Sequence, residues 1–421
     1  MRLFSRLALA FVLAASANAA FALDPSVAIT FAGETRFPTA TTFNGTQVGG
    51  LSGIAYDASN NSYYAVADDR SQINPARFYT LGIDLSGNSL GDGDVTFTGV
   101  TTLTRPDGTA FPIFESDPED IVIDPAGGGV WMSSEGDTTR FNSTSNPAFQ
   151  PFINRYDLSG ANAGRQNTAL AIPSKFLINA TGVGSGVRNN LAFESLTITP
   201  DNTTLVTATE NALGQDGAAA AVGVSSNSRI LTYNLATQTA GAEFVYNVAP
   251  VVENPNPSGA FATNGLVDLL ALSSTRFLSV ERSFSTGASG TGGTGNIIRI
   301  FEIDTTGATD VSGIADLDAF VGAIVPVQKT LLFDLNSISA PGFAADNIEG
   351  IAFGENFADG SRSLILVSDN NFSPTQFTQF AAFKVTVVPE AGTGALLLPG
   401  LLSLAGAIAL ARPHTGAVRR K

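Results

Sequence analysis

The chain has 421 residues, a formal net charge of −15, a single histidine and no cysteine. Phosphate backbones need a basic surface, so this acidity excludes nucleic acid as a partner and favours cations. Without cysteine there are no disulfides, thiol nucleophiles or Cys/His zinc sites, and the low charged content of 14% suits an all-β exported chain.

Taken in chain order, Arg2 and Arg6 followed by the apolar stretch Leu7 to Ala15 read as a secretory signal. Cleavage is expected after Ala19 or Ala22, so residues 1–22 form a signal peptide and 23–387 the mature domain. That domain opens with a spare strand, Val27 to Phe31. A two-strand signature then recurs five times, at intervals of about 70 to 80 residues. Its copies begin at Leu51, Glu119, Glu194, Leu266 and Glu349, and turn residues such as Ala58-Ser-Asn-Asn61 join the two strands of each.

A third strand is expected after each hairpin, beginning at Arg77, Arg155, Arg229, Arg299 or, in the last unit, Gln379. Fourth strands are expected at Val95 to Val100, Ala169 to Ile172, Glu243 to Val248 and Thr330 to Leu335. The fifth unit ends at Val387 without one. Four-stranded units repeated radially, with the first strand completing the last unit, describe a β-propeller closed by its own ends. Five blades are counted; a sixth hidden in 304–330 is the alternative. Closure leaves no long open sheet edge. The loops 100–118, 136–152, 173–192, 211–228, 249–264 and 282–295 fall on one face, and irregular loops on a rigid scaffold commonly carry function.

Beyond the domain, Val388-Pro-Glu-Ala391 leads into an apolar run from Gly394 to Ala411, closed by Arg412, Arg419, Arg420 and Lys421. Eighteen apolar residues just span a hydrocarbon core, leaving the basic end cytoplasmic. This order resembles the PEP-CTERM sorting tail of Gram-negative bacteria. The resemblance implies transient inner-membrane anchoring through 388–421, processing by an exosortase, and delivery to the cell surface or extracellular matrix.

The only histidine, His414, lies beyond that apolar run and cannot serve a Ser-His-Asp triad in the domain. No Gly-x-Ser-x-Gly elbow or P-loop is present. Catalysis would rest on carboxylates, Arg, Lys, Tyr, Ser, Thr or a hard metal ion. The repeat puts acids where strands meet the loop-rich face: Glu119, Glu194 and Glu349 open first strands, and Asp68, Asp69, Glu135, Glu210, Glu281 and Asp369 end second strands. Arranged around one axis, they should ring the mouth of the central channel, an oxygen-rich setting suited to Ca²⁺. Arg77, Arg155, Arg229, Arg282 and Arg299 are expected on the same face, able to hold phosphate or carboxylate. The competing reading is a set of blade-locking ion pairs. Trp131 is expected in the core, and Asn370-Asn-Phe-Ser373 as a turn.

Gly50-Leu-Ser-Gly-Ile-Ala-Tyr-Asp57 with Asp68-Asp-Arg70, Asp117-Pro-Glu-Asp120, Phe193-Glu-Ser-Leu196, and Asn347 to Phe353 leading to Leu364 to Asn371 resemble the phytase-like family, described as having esterase-like activity of phytase. The likeness runs from about residue 47 to 386. It implies a propeller and, with it, ester or phosphoester hydrolysis assisted by Ca²⁺. Asp68, Asp69, Glu119, Glu194, Glu349 and Asp369 would be the metal-facing set, and Arg77, Arg155, Arg229 and Arg299 the substrate-facing one. The other function carried is a non-catalytic propeller that binds an extracellular polysaccharide or protein.

Overall fold

A computed structural model describes residues 25–137, 149–178 and 184–388. The signal segment and the sorting tail lie outside the described residues. Among the described residues no helix is long and apolar enough to cross a membrane.

Alternation of apolar and polar residues, broken by turn residues at short intervals, gives antiparallel hairpins and, among the described residues, nothing helical beyond short 3-10 turns. They assemble into five four-stranded blades. Blade 1 comprises Leu51–Asp57, Ser62–Ala67, Arg77–Ile83 and Val95–Thr102; blade 2 comprises Pro118–Ile123, Gly129–Ser134, Phe152–Asp157 and Gln166–Ala169. Blade 3 is Phe193–Ile198, Thr204–Thr209, Ser226–Asn234 and Thr239–Val248, and blade 4 is Ala262–Ala271, Arg276–Ser285, Asn296–Asp304 and Gln328–Asp334. Blade 5 takes Asn347–Phe353, Arg362–Asp369 and Phe377–Val387 from the end of the chain, and Val27–Pro38 from its beginning. The spare strand therefore closes the ring, pairing Val27 with Val387 through Pro38 with Phe377. Ser26 adds a latch to blade 4, donating through its amide and hydroxyl to Glu302 at 2.7 Å each.

The first strands of successive blades touch one another in a closed cycle. Apolar side chains fill the five gaps between blades, one cluster to each gap. Phe78 and Met132 meet between blades 1 and 2, Trp131 and Tyr233 between 2 and 3, and Tyr246 and Phe277 between 3 and 4. Ile300 and Phe383 close the fourth gap, Tyr63 and Phe380 the fifth. Stability is thus spread around the ring, each blade leaning on two neighbours.

Two expectations shift. Residues 304–327 form no sixth blade: Val311 and Val327 donate to the carbonyls of Glu243 and Val245, so the segment runs along the outer edge of blade 3. The outer strand of blade 2 is Gln166–Ala169, not Ala169 to Ile172. Leu170 still donates to Ile153, but Pro173 soon follows and has no amide hydrogen to continue the ladder.

Candidate functional site: an acid-lined axial mouth

In every blade the first strand carries a β-bulge close to its start. The register slips between Leu51 and Gly53, Pro118 and Ile121, Phe193 and Ser195, Leu266 and Asp268, and Ile348 and Gly350. A bulge leaves one residue unpaired and re-aims its side chain. The slipped positions hold Glu119, Glu194 and Glu349 in blades 2, 3 and 5, and Ser52 and Val267 in blades 1 and 4. One residue beyond the second-strand partner of the residue that precedes each bulge, four blades place an acid: Asp68, Glu135, Glu210 and Asp369. Blade 4 places Arg282 at the matching position, opposite Gly265.

These residues converge. Asp68, Glu119, Glu194, Arg282, Glu349 and Asp369 line one cavity of about 440 Å³ at the axis, together with Arg70, Asn190, Asn347 and Phe372. Oxygens of Asp117, Glu119 and Glu135 all lie within 4.8 Å of one another. Two guanidinium groups answer the acids. Arg70 bonds Asp117 at 2.6 Å, and Arg282 reaches Glu210 at 3.1 Å and Glu349 at 3.5 Å. Asn347 donates to Glu349 at 2.9 Å and Asp369 at 3.1 Å, and the amide of Asn371 donates to Asp369 at 2.6 Å. Asn371 and Phe372 both have positive φ, at 47° and 51°, a conformation that asparagine tolerates and phenylalanine rarely adopts, so the turn beside Asp369 carries strain at Phe372.

Crowding like charges away from water disfavours ionisation. Burial, with the neighbouring carboxylates, pushes Asp68, Glu119, Glu135 and Glu194 well above the usual carboxylate range. Burial also raises Glu210, against the pull of Arg282. It lifts Asp117 to about 6 in spite of Arg70, Glu349 to about 7 in spite of Arg282, and Asp369 to about 8. Eight carboxylates face two guanidinium groups, so near neutrality the mouth must hold protons or cations.

Below this ring the axis is plugged by a second acid pair. Asp120 of blade 2 and Asp268 of blade 4 hydrogen-bond each other through their carboxyls, burial lifting Asp120 to about 8 and Asp268 well above its usual value. Asp120 accepts from the amide of Leu196 in blade 3 at 2.5 Å, and Asp268 from Ile351 in blade 5 at 2.7 Å. Blade 1 offers Gly53 there, where a Cβ would collide with Asp120. The pair ties four blades at the centre.

Asp69 borders the cavity, but its carboxylate accepts from the amides of Gln72, Ile73 and Asn74 and from Arg77 at 2.7 Å, which leaves little for a ligand. None of the four strand-start arginines is among the residues lining the mouth. Arg77 is buried against Asp69 and Tyr79. Arg155 pairs with Asp124 and the carbonyl of Gly127 at the far end of blade 2. Arg229 is sealed between Asp216 and Glu243 on the outside of blade 3, and Arg299 pairs with Asp334 on the outer strand of blade 4. The reason is register. Third strands of blades 2 to 4 begin three residues before these arginines, which places them within the blades instead of at the mouth. Glu281 likewise turns outward, accepting from Tyr246 at 3.0 Å and pairing with Lys329. Asn370 is a turn residue, its side-chain oxygen accepting from the amides of Gly50 and Phe372.

A five-bladed propeller with an acid-lined axial mouth is the class these features define. The chain belongs to the Phytase-like family, described as "Esterase-like activity of phytase", whose model matches residues 46–372. Among solved structures it is similar to the Dos1 propeller at 8% identity, covering 81% of this chain and 69% of that one with a TM-score of 0.34. It is also similar to a putative oxidoreductase (glucose dehydrogenase) from Thermus thermophilus at 11% identity, covering 83% of this chain and 100% of that one, again with a TM-score of 0.34. No curated protein matches the chain.

Proposed function

We propose that the axial mouth binds divalent cations, Ca²⁺ best among them, and hydrolyses an ester or phosphoester presented there. The observation that supports this reading is the gathering, among the described residues, of eight carboxylates from blades 1, 2, 3 and 5 against only Arg70 and Arg282. An all-oxygen donor set with loose geometry suits a hard cation that accepts six to eight ligands. The Asp117, Glu119 and Glu135 oxygens, within 4.8 Å of one another, form the tightest such set, and Asp68, Glu194, Glu349 and Asp369 supply further ligands around the same cavity.

A bound cation there would lower the pKa of a coordinated water and offset charge on the substrate. The chain's own groups have complementary tasks. Arg282 and Arg70 border the cavity and can donate to a carbonyl or phosphoryl oxygen. A carboxylate of the ring that the cation leaves free can take a proton from water and return it to a leaving alcohol.

Export through residues 1–22 and anchoring through 394–411 belong to the same proposal, with exosortase processing leading to the surface or matrix. The geometry of the domain suits it. Ser26 and Val388 meet at the end of blade 5 opposite the mouth, so an anchored propeller would turn its mouth away from the membrane.

The test is hydrolysis of p-nitrophenyl acetate and p-nitrophenyl phosphate by the mature domain, with millimolar Ca²⁺ and with EDTA. Turnover is expected with Ca²⁺, and Glu349→Gln should lower kcat/KM about 10²- to 10⁴-fold. No turnover of either substrate under either condition ends the hydrolase reading.

A further inference from the structure

A second cavity of about 680 Å³ adjoins the mouth between blades 4 and 5. Arg282, Asn347 and Asn371 belong to the walls of both, so the two compartments lie side by side. Their chemistry differs sharply. Where the mouth is ringed by carboxylates, the second compartment has one, Asp346, and that acid is consumed by the amides of Asn347 and Phe377 and by the side chain of Gln376. Arg36 at its edge is paired with Glu34 at 2.6 Å. The remaining wall is Phe284, Phe377, Thr294 and Asn296, with Gly292, Gly293 and Gly342 keeping it open. Phe261, two-thirds exposed, lies 6.1 Å from Phe284 and extends this aromatic surface outward.

The same wall concentrates unmet hydrogen-bonding capacity. Among the described residues eight buried side-chain polar atoms lack a partner, and two belong to residues of this wall: Arg282 Nε and Asn296 Oδ1. Each orphaned buried polar group is costly, and such groups mark places where water or a ligand completes the structure. A donor and an acceptor beside aromatic rings match a ligand bearing hydroxyls on an apolar frame. Away from Arg282 they do not match an anion, because Arg36, the other arginine among the described residues of this wall, already faces Glu34.

We propose that this compartment receives the neutral, hydroxyl-rich part of the substrate, a sugar ring or short glycan, while its ester group lies at Arg282 between the compartments. The substrate class becomes an esterified saccharide. The volume is within the range of about 300 to 1,000 Å³ that accommodates small-molecule ligands. The assignment of the ester group rests on the hydrolase reading above; the saccharide site itself does not.

The experiment uses the mature domain with Ca²⁺ and two matched substrates, a methyl glucoside carrying an acetyl or phosphoryl ester and the corresponding p-nitrophenyl ester. Asn296→Leu should raise KM for the sugar ester about tenfold, the worth of one neutral hydrogen bond, and leave the p-nitrophenyl ester unchanged. Gly342→Asn is the second variant. Its Cβ meets nothing within 4 Å, and asparagine tolerates its positive φ, so the fold should survive while the cavity narrows. It should raise the same KM selectively. Equal effects on both esters, or none, overturn the proposal. Should neither ester turn over, saturation-transfer NMR with methyl glucoside decides separately. Transfer in the wild type that is lost in both variants supports the saccharide site and sinks only the hydrolysis; no transfer overturns the site itself.

Discussion

Freed of divalent cations, the domain should be most stable near pH 4 to 5 and lose stability progressively up to pH 8, the reverse of ordinary acid denaturation. The sign follows from the mouth and the axial plug. Asp117 at about 6, Glu349 at about 7, and Asp369 and Asp120 at about 8 all stand above the value of about 4 that such groups take in an unfolded chain. The native state therefore holds protons that the unfolded state releases. Stability is fully present below the unfolded pKa and falls as pH rises through the folded values, between about 5 and 8. Ca²⁺ should flatten the curve by supplying charge that protons no longer supply. Urea melts at pH 5, 6.5 and 8 with EDTA or Ca²⁺ check this. A stability that rises with pH in EDTA contradicts the proton-holding mouth.

Arg229→Ala should cost about 3 to 5 kcal/mol without touching the mouth. Arg229 is fully buried on the outside of blade 3, where it grips Asp216 at 2.6 and 2.9 Å, Glu243 at 2.9 Å and the carbonyl of Ile314 at 2.9 Å. It thereby fastens the 211–225 loop and the 304–327 segment to the blade. Removing it strands two buried carboxylates, and Lys175, 3.1 Å from Glu243, can answer only one. Thermal unfolding should show the loss, with Ca²⁺ affinity unchanged. A shift below about 1 kcal/mol would mean that water reaches the stranded acids.

Much of this architecture is legible in the sequence because the repeat is a physical unit. A hairpin with one apolar face cannot bury it alone, so five copies imply five neighbours. The first strand without a partner and the last unit without a fourth strand fit each other. Convergence of Asp68, Glu119, Glu194, Glu349 and Asp369 follows from the same radial argument, as each sits at an equivalent place in its repeat. The arginines mislead because a conspicuous basic residue is not a strand boundary. Ser226 and Asn296 begin their strands three residues before Arg229 and Arg299, and that offset moves the guanidinium from the mouth into the blade. Arg282 looks like one arginine among five, whereas its meaning lies in alignment: it stands where four other blades carry an acid. The axial pair is visible in the same way, since Asp120 and Asp268 follow the slipped position that Gly53, Ser195 and Gly350 follow in the other blades. Pairing across the axis depends on which blades face each other, which no local pattern states.

The central claim is that carboxylates distant in sequence act as one cation site that stores protons when empty. Calorimetric titration of the mature domain with Ca²⁺ at pH 7, in two buffers of different ionisation enthalpy, tests it most directly. Binding accompanied by proton release is predicted, with both abolished in the triple variant Glu119→Gln, Glu194→Gln, Glu349→Gln. Absence of binding, or binding and release unchanged in that variant, would contradict it.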